Sequence, residues 1–271
     1  MKLLNFIRRG ILKIISEKPL LFETFENYEK ATESGEGYSE EVLVKVIVEK
    51  AKKYKENLKI SNEVDLMSFR SFFAFSFILQ KTTINVLDFG GGAGSQYHLL
   101  KKFLGEKAKI KWHVVETKLM VDECKKNNLE SEELKFFSNT DSAIKDIDKF
   151  DLVYANSSLP YTDKPNMYLE ELLKVNTDFL YFTRMPLNEN GKENIVGLQV
   201  TKLSAHGEGE IPKELNIEDK LIKHPFTVMA KENVENIINK YGYIELIIKE
   251  EKSAYITKKG NFDNFGYLVK K

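Results

Sequence analysis

The residues with the clearest chemical role lie in the stretch INVLDFGGGAGSQ, residues 84–96, where one acid leads a cluster of glycines. The acid is Asp88, and the glycines that follow it are Gly90, Gly91, Gly92 and Gly94. A turn without Cβ atoms lets the backbone approach a ligand closely, and unpaired N–H groups at a helix start favour a polar or anionic partner. The alternative is a plain strand-to-helix loop with flexible glycines, but the apolar run before the turn favours a nucleotide-binding unit.

A second acid, Glu116, ends the apolar segment KIKWHVVE, about twenty residues beyond the glycine turn. A carboxylate at the end of the second strand of such a unit can accept hydrogen bonds from both ribose hydroxyls of a nucleotide. Glu116 therefore indicates a ribose-containing ligand without identifying it. A dinucleotide site also requires the spacing G-x-G-x-x-G, and Ser95 and Tyr97 occupy the position of its third glycine in the two possible registers.

The elements around these candidates alternate between strand-like and helix-like patterns, which predicts an α/β fold with a mostly parallel sheet and helices on both faces. We expect strands over residues 84–89, 110–116, 134–137, 150–155, 179–183, 243–250 and 265–270. We expect helices between them over residues 95–103, 118–127, 142–146, 166–175 and 228–241. Ligands bind at the carboxyl ends of such strands, so the glycine turn and Glu116 should meet at one edge of the sheet.

Two regions lie outside this alternation. Residues 1–80 predict a helical N-terminal extension or lid, with helices over 40–54 and 64–79, ahead of a ligand-binding domain over residues 81–271. Residues 184–225 predict a long irregular insert after the fifth strand, and a loop of this length in a compact domain is usually functional, here as a cover for the acceptor site. Residues 1–19 interleave apolar and basic side chains, which predicts an amphipathic helix that packs on the domain, on a second subunit or weakly on a membrane surface.

Composition excludes several classes of protein. The chain of 271 residues has 41 basic and 41 acidic side chains, so no basic excess points to nucleic acid as a partner. Its one cysteine, Cys124, cannot form an internal disulfide, and no Cys/His cluster has the spacing of a zinc site. We therefore expect a cytoplasmic protein without a bound metal, and no apolar run reaches the length of a transmembrane helix.

The pattern Asp88-x-Gly90-x-Gly92-x-Gly94 resembles the first motif of the Rossmann-like S-adenosylmethionine-dependent methyltransferases. The segment FDLVYANSS, which ends at Ser158, looks like the methyltransferase segment beneath the transferred methyl group. The stretches GGGAGSQY, VVET, ANSSLPY and FTRMPL together resemble a bacterial methyltransferase family associated with surface-polysaccharide biosynthesis.

This resemblance implies a seven-stranded sheet whose last two strands are antiparallel, with S-adenosylmethionine as donor, S-adenosylhomocysteine as product and no metal. The acceptor would be a sugar or sugar-linked group of a capsule or O-antigen, carried on phosphate or a nucleotide. The glycines and Asp88 would lie at the methionine portion of the donor, Glu116 at its ribose and Thr117 along its adenosine. The remaining donor contacts would come from Asn156 and Ser157 beneath the methyl group and from Ser138 and Asn139 near adenine. Ser138 and Asn139 could instead cap the following helix.

A hydroxyl acceptor usually needs a general base. His206 and His224 are the candidates, because both fall in the predicted insert, although a loop histidine is more often only solvated. Tyr161 and Arg184 follow the fourth and fifth strands, at the edge where ligands bind. Arg184 could pair with a phosphate or carboxylate of the acceptor, or with a nearby acid of the protein.

Two other classes of function compete with methyl transfer to oxygen or nitrogen. An NAD(P)-dependent oxidoreductase uses the same architecture, but the missing third glycine disfavours it. A non-catalytic nucleotide-binding module would keep the fold without turnover.

Overall fold

The computed structural model of the protein describes residues 20–21, 23–35, 37–61, 63, 66–257 and 260–271. The amphipathic helix predicted over residues 1–19 lies outside the described residues. No helix in the described ranges has both the length and the apolar character needed to cross a membrane.

Strands and α-helices alternate from residue 83 to residue 188, and most of the chain after residue 188 forms strands. The strands are β1 (Leu20–Leu21), β2 (Thr24–Phe25), β3 (Thr83–Phe89), β4 (Lys109–Val115), β5 (Leu134–Phe137), β6 (Phe150–Asn156), β7 (Thr177–Asn188), β8 (Ile195–Lys202), β9 (Leu221–Ala230), β10 (Tyr243–Thr257) and β11 (Gly260–Lys270). The helices are α1 (Tyr28–Thr32), α2 (Glu41–Ile60), α3 (Leu66–Ser76), α4 (Ser95–Leu104), α5 (Lys118–Lys126), α6 (Thr140–Ile144), α7 (Pro165–Lys174) and α8 (Lys231–Tyr241).

The central part of the sheet has the strand order β5-β4-β3-β6-β7-β11-β10. Strands β3 to β7 are parallel to their neighbours, whereas β11 is antiparallel to β7 and β10 is antiparallel to β11. The prediction of a mostly parallel sheet flanked by helices is therefore confirmed. The strand order reverses at β3, which has β4 on one side and β6 on the other. In an open α/β sheet, this reversal opens a crevice at the carboxyl ends of the strands.

Each face of the sheet packs on its own set of helices. Val86 and Leu87 are adjacent in β3 and, because side chains alternate along a strand, they enter opposite cores. Helices α2, α3, α4 and α5 cover the face of Val86, and α6, α7 and α8 cover the face of Leu87. The glycine turn after β3 thus starts from a strand that is buried on both sides.

The prediction of an irregular insert over residues 184–225 is wrong. Strand β7 continues to Asn188, and β8 and β9 form an antiparallel pair that joins the sheet where β9 runs parallel to the end of β7. The sheet consequently has more strands than the seven that the resemblance implies. The sequence does not predict strand β9, because most of its residues are buried and it therefore lacks the alternation of apolar and polar residues that marks a half-buried strand. Residues 228–230, predicted as helix, belong to this strand.

The N-terminal helices share the core of the sheet. Phe75 of α3 is fully buried, and its ring lies 5.6 Å from that of Trp112 in β4 and 6.2 Å from that of Tyr154 in β6. Helices α2 and α3 occur where helices were predicted, and their burial makes them part of the main fold. Their role as a lid stays a prediction.

Replacing Phe75 with alanine should lower the free energy of unfolding by about 3–5 kcal/mol, because the change leaves a cavity against Trp112 and Tyr154. Phe69 lies on the same helix but is 64% exposed, so Phe69→Ala should change that free energy by less than about 0.5 kcal/mol. Urea unfolding followed by the fluorescence of Trp112, the chain's single tryptophan, measures both. Equal losses in the two variants would contradict the packing of α3 on the sheet.

Candidate active site

The glycine turn adopts a backbone conformation that other residues rarely adopt. Gly90, Gly92 and Gly94 have φ angles of 71°, 58° and 80°, in the left-handed region. A Cβ on Gly90 would lie 2.2 Å from the Cβ of Ser158, so the turn after β3 and the segment after β6 approach as closely as glycine allows. Gly94 immediately precedes α4 and lies outside the wall of the cavity described below, so it serves to begin the helix.

Asp88 holds the turn from below. Its buried carboxylate accepts a hydrogen bond from the indole N–H of Trp112 at 3.0 Å and packs against Gly91, where a Cβ would lie 2.2 Å from Oδ2. Burial raises the pKa of Asp88 to about 7, with the nearby charge of Glu116 acting in the same direction and the Trp112 hydrogen bond opposing both. Asp88 is thus close to half-protonated near neutral pH.

Glu116 points onto the glycine turn. One carboxylate oxygen accepts from the N–H of Gly92 at 3.1 Å and the other from the N–H of Thr117 at 2.8 Å. Burial raises the pKa of Glu116, and these two backbone hydrogen bonds oppose that shift. Each carboxylate oxygen retains a lone pair for a ligand hydroxyl. The ribose role of Glu116 stays a prediction.

A cavity of about 700 Å³ opens above the carboxyl ends of β3, β4, β6 and β7, a size typical of small-molecule sites. Most residues that the sequence predicted for the site line it: Asp88, Gly90, Gly91, Gly92, Glu116, Thr117, Ser138, Asn139, Asn156, Ser157, Tyr161, Arg184 and His206. Helix α2 adds Ile47, and β8 adds Gln199 and Thr201.

The polar residues predicted near the donor differ in what their side chains do. Asn139 caps α6, accepting from the N–H of Ser142 at 2.8 Å, which is the alternative role proposed for it. Thr117 similarly caps α5 through the N–H of Met120 at 3.3 Å. The buried Oδ1 atom of Asn156 has no hydrogen-bond partner in the described part of the chain, and Ser157 next to it has a φ of 58°. A buried acceptor and a strained residue at one strand end are typical of a ligand contact.

The prediction for His224 needs correction. It lies in β9, fully buried, and not on a loop, and it lies outside the cavity wall. His206 does line the cavity, and its Nε2 atom lies 3.1 Å from Nε2 of His224 and 2.9 Å from Oγ1 of Thr201. His224 therefore belongs behind His206, where it contacts and orients that ring.

Tyr38, from the N-terminal segment, completes this wall. Its hydroxyl lies 3.1 Å from Nδ1 of His206, and its ring stacks on that of His224 at 4.7 Å. Burial lowers the pKa of His206 to about 4, with His224 and Lys50 acting in the same direction, so the ring is neutral at physiological pH. Burial likewise raises the pKa of Tyr38, which keeps its hydroxyl protonated.

Lys50 ties the wall to α2. Its buried ammonium donates to the carbonyls of Ser204 at 2.8 Å and His206 at 2.6 Å. Burial lowers the pKa of Lys50, against the nearby charges of Glu208 and Asp219. The segment that carries His206 is therefore fixed from the N-terminal side of the chain.

Tyr161 and Arg184 lie on the same side of the cavity. The Tyr161 hydroxyl donates to the side-chain oxygen of Gln199 at 2.5 Å, and the Tyr28 hydroxyl donates to the Tyr161 carbonyl at 2.5 Å. Within the described residues, the guanidinium of Arg184 forms no hydrogen bond or ion pair with the protein, and the alternative of an ion pair with a nearby acid stays a prediction.

Sequence reasoning missed Tyr38, Gln199 and Thr201. The contact between Tyr38 and His206 joins residues 168 positions apart, and no local sequence pattern indicates it. Among the described residues, no group of histidine, cysteine, aspartate and glutamate side chains has the arrangement of a metal site.

No protein-family model and no curated protein matches this chain. Among solved structures, the N-terminal domain of EvdMO1 with SAH bound is similar at 10% identity and a TM-score of 0.48, covering 78% of this chain and 82% of that one. An S-adenosylmethionine-dependent methyltransferase from Clostridium acetobutylicum ATCC 824 is similar at 16% identity and a TM-score of 0.47, covering 77% and 92%. The N-methyltransferase NodS from Bradyrhizobium japonicum WM9 is similar at 11% identity and a TM-score of 0.44, covering 82% and 97%. At these values the similarity carries no argument about function, which must come from the site itself.

The raised pKa of Asp88 should make the protein less stable as pH rises. The folded-state pKa of about 7 exceeds the ordinary value, so the stabilisation is complete in acid and is lost as pH rises through neutrality. Relative to Asp88→Asn, the wild type should lose a few kcal/mol of unfolding free energy between about pH 5 and pH 8.

Asp178→Asn provides the control, because hydrogen bonds from Lys149 and Lys81 lower the pKa of Asp178, so its contribution changes only in stronger acid. Urea unfolding of the three proteins across this pH range measures the differences. If the difference in unfolding free energy between wild type and Asp88→Asn does not change with pH, the pKa of Asp88 is not raised in the folded protein.

Proposed function

We propose that the protein is an S-adenosylmethionine-dependent methyltransferase that acts on an oxygen, or a nitrogen, of a small acceptor. The observation that carries the proposal is the contact of Glu116 with the N–H of Gly92: a carboxylate lies on an acid-led glycine turn where the strand order reverses, which supports a ribose-binding role for it. His206, neutral at physiological pH, lines the same cavity. The cavity therefore combines features for donor binding with a proton acceptor.

The residues present fit the donor. The open space at Gly92, where a Cβ would meet only Ile47 at 3.5 Å, leaves room for a ligand against the turn. The unpartnered Oδ1 of Asn156 would accept from the donor's ammonium group, and Asp88 and Glu116 supply negative charge for a cationic ligand. Bound S-adenosylmethionine would supply a methyl group activated by its positively charged sulfur.

Methyl transfer is an in-line displacement, so the protein's main tasks are to align the acceptor atom with the methyl carbon and to exclude water. Tyr38 and His206 provide a route for the acceptor's proton. In the His206 tautomer that leaves Nδ1 unprotonated, the Tyr38 hydroxyl donates to Nδ1, and it would pass its proton to the imidazole while taking one from an acceptor hydroxyl. Contact with Thr201 and His224 orients the ring from its Nε2 side.

The wall on the acceptor side suits a sugar or a sugar-linked group. Tyr38 and Tyr161 present aromatic rings with polar edges, while Gln199 and Thr201 offer hydrogen-bonding groups. This chemistry supports the polysaccharide precursor that the sequence resemblance implies. The cytoplasmic location, the oligomeric state and a membrane contact of residues 1–19 stay predictions.

The structure gives no support to the oxidoreductase alternative. Tyr97 occupies one of the positions where a dinucleotide site has its third glycine, and its ring is buried, with the hydroxyl donating to Glu133 at 2.8 Å. Helix α4 thus packs through a bulky side chain where a dinucleotide-binding helix requires none.

Substitution in the glycine turn should abolish donor binding. Gly92→Asp places a side chain in the cavity, and aspartate tolerates the left-handed backbone better than most residues. Gly209→Asp is the control, because Gly209 also has a positive φ, of 81°, and open space around it but lies outside the cavity wall. Calorimetric titration with S-adenosylhomocysteine should show binding to wild type and to the control only.

Glu116→Ala should weaken binding of the same ligand by about ten-fold or more, because the ribose loses a charge-assisted acceptor. Glu116→Ala should weaken the binding of adenosine by a similar factor, because adenosine keeps the ribose and lacks only the amino-acid part. If Gly92→Asp and Glu116→Ala both bind S-adenosylhomocysteine as wild type does, the proposed donor site is rejected.

Loss of the proton acceptor should affect turnover and not donor affinity. His206→Gln should lower methyl incorporation from labelled S-adenosylmethionine into native-host extract by about 100-fold, the usual scale for a general base, while S-adenosylhomocysteine binding stays constant. His98→Gln is the control, since His98 lies on α4 and outside the cavity wall. Full turnover by His206→Gln would contradict the relay.

A further inference from the structure

Arg184 occupies an unusual place in the sheet. Strand β11 pairs Phe265 with Met185 and Tyr267 with Phe182, so the register shifts and β7 carries an extra residue opposite Gly266. Arg184 lies in this bulge with a φ of 56°, a left-handed conformation that is uncommon for an arginine. Such strain persists only where the surroundings enforce it, and it is concentrated at functional sites.

Glu250 of β10 holds the bulge. Its carboxylate accepts from the hydroxyl of Thr183 at 2.5 Å and from the backbone N–H of Arg184 at 2.8 Å. To do so it reaches across β11 at Gly266, where a Cβ would lie 2.9 Å from Oε1 of Glu250. Charge-assisted hydrogen bonds to both residues of the bulge offset the cost of the left-handed backbone.

The bulge places the positively charged side chain of Arg184 in the wall of the cavity. Arg184 is half-buried in the wall and is the only lysine or arginine among the described residues that line the cavity. Its charge also reaches Tyr38, where burial raises the hydroxyl pKa and Arg184 acts against that effect. Arg184 therefore lies beside the proposed proton relay, on the acceptor side.

Among the described residues, the guanidinium of Arg184 has no ion-pair partner, although five acids line the same cavity. Asp88, Glu116, Asp141, Glu171 and Glu208 also line the cavity, yet none of them forms an ion pair with Arg184 in the described part of the chain. A half-buried guanidinium without an anion is costly, and its planar set of donors matches a phosphate or a carboxylate. The acids on the rest of the wall would repel the same anion, so they confine it to Arg184.

We propose that the acceptor carries an anionic group, a phosphate or a carboxylate, that Arg184 binds, and that Glu250 is a positioning residue that fixes Arg184 for this purpose. The proposal rests on the methyl-transfer function proposed above. An anion bound there would also favour the protonated form of His206 and so strengthen it as a proton acceptor.

Three sugars that differ in charge test the proposal: glucose 1-phosphate, glucuronate and neutral glucose. Each is titrated calorimetrically into the full-length protein, with and without S-adenosylhomocysteine. We expect glucose 1-phosphate or glucuronate to bind at least about ten-fold more tightly than glucose, since a charge-assisted bidentate contact is available only to them. The preference between the two charged sugars distinguishes a phosphate from a carboxylate group.

Arg184→Gln should remove this preference for charged sugars, and Glu250→Gln should weaken it several-fold because one of its two acceptor oxygens becomes an amide nitrogen. Lys249→Gln removes a neighbouring exposed cation of β10 and should leave the preference unchanged. S-adenosylhomocysteine affinity should stay within about two-fold of wild type in all three variants, which excludes general unfolding.

Equal affinity of charged and neutral sugars for wild type, or unchanged preference in Arg184→Gln, overturns the anion site. If Glu250→Gln keeps the full preference for charged sugars over glucose, only the positioning role of Glu250 is overturned. Failure of wild type to bind S-adenosylhomocysteine would instead reject the proposed donor, and the titrations without that ligand would still decide the role of Arg184.

Discussion

The carboxylate of Glu116, bound by the N–H groups of Gly92 and Thr117, is the contact on which the rest of the site depends. It links the turn after β3 to the end of β4, so two neighbouring strands present one binding edge. The turn can accept this carboxylate because its glycines allow a left-handed backbone, and because Asp88 beneath it is anchored to Trp112. Burial raises the pKa of Asp88 and the charge of Glu116 adds to that shift, so a cationic ligand would relieve the repulsion that Asp88 experiences.

The wall of the cavity around the glycine turn, where we propose that the donor binds, was predictable because its signals are local. Asp88, the glycines and Glu116 lie at strand ends that hydrophobic patterns reveal, and parallel strands bring those ends together without further information. The acceptor side was only partly predictable. Arg184 was named from its position after β7, but nothing in the sequence shows the bulge that places it, because the bulge depends on pairing with a strand about eighty residues away.

The errors of prediction share one physical cause. The glycines and prolines of residues 184–225 predict a loop, whereas β8 and β9 are stabilised by pairing with each other and β9 also pairs with β7. His224 was consequently expected on a loop, although it is buried in β9. Tertiary contacts outweigh local propensity wherever a strand is covered on both sides, so such strands are the hardest to recognise from one sequence.

The two sides of the cavity are encoded in different ways. Every predicted donor residue falls within the continuous stretch 88–157, which forms β3 to β6 and the turns between them. The opposite wall combines Tyr38 with Gln199 and His206, which come from distant parts of the chain, and Lys50 supports it from outside by donating to the carbonyl of His206. Substitutions outside residues 88–157 can therefore change the acceptor wall and leave the proposed donor-binding residues unaltered. Related chains could then share a donor and differ in what they modify.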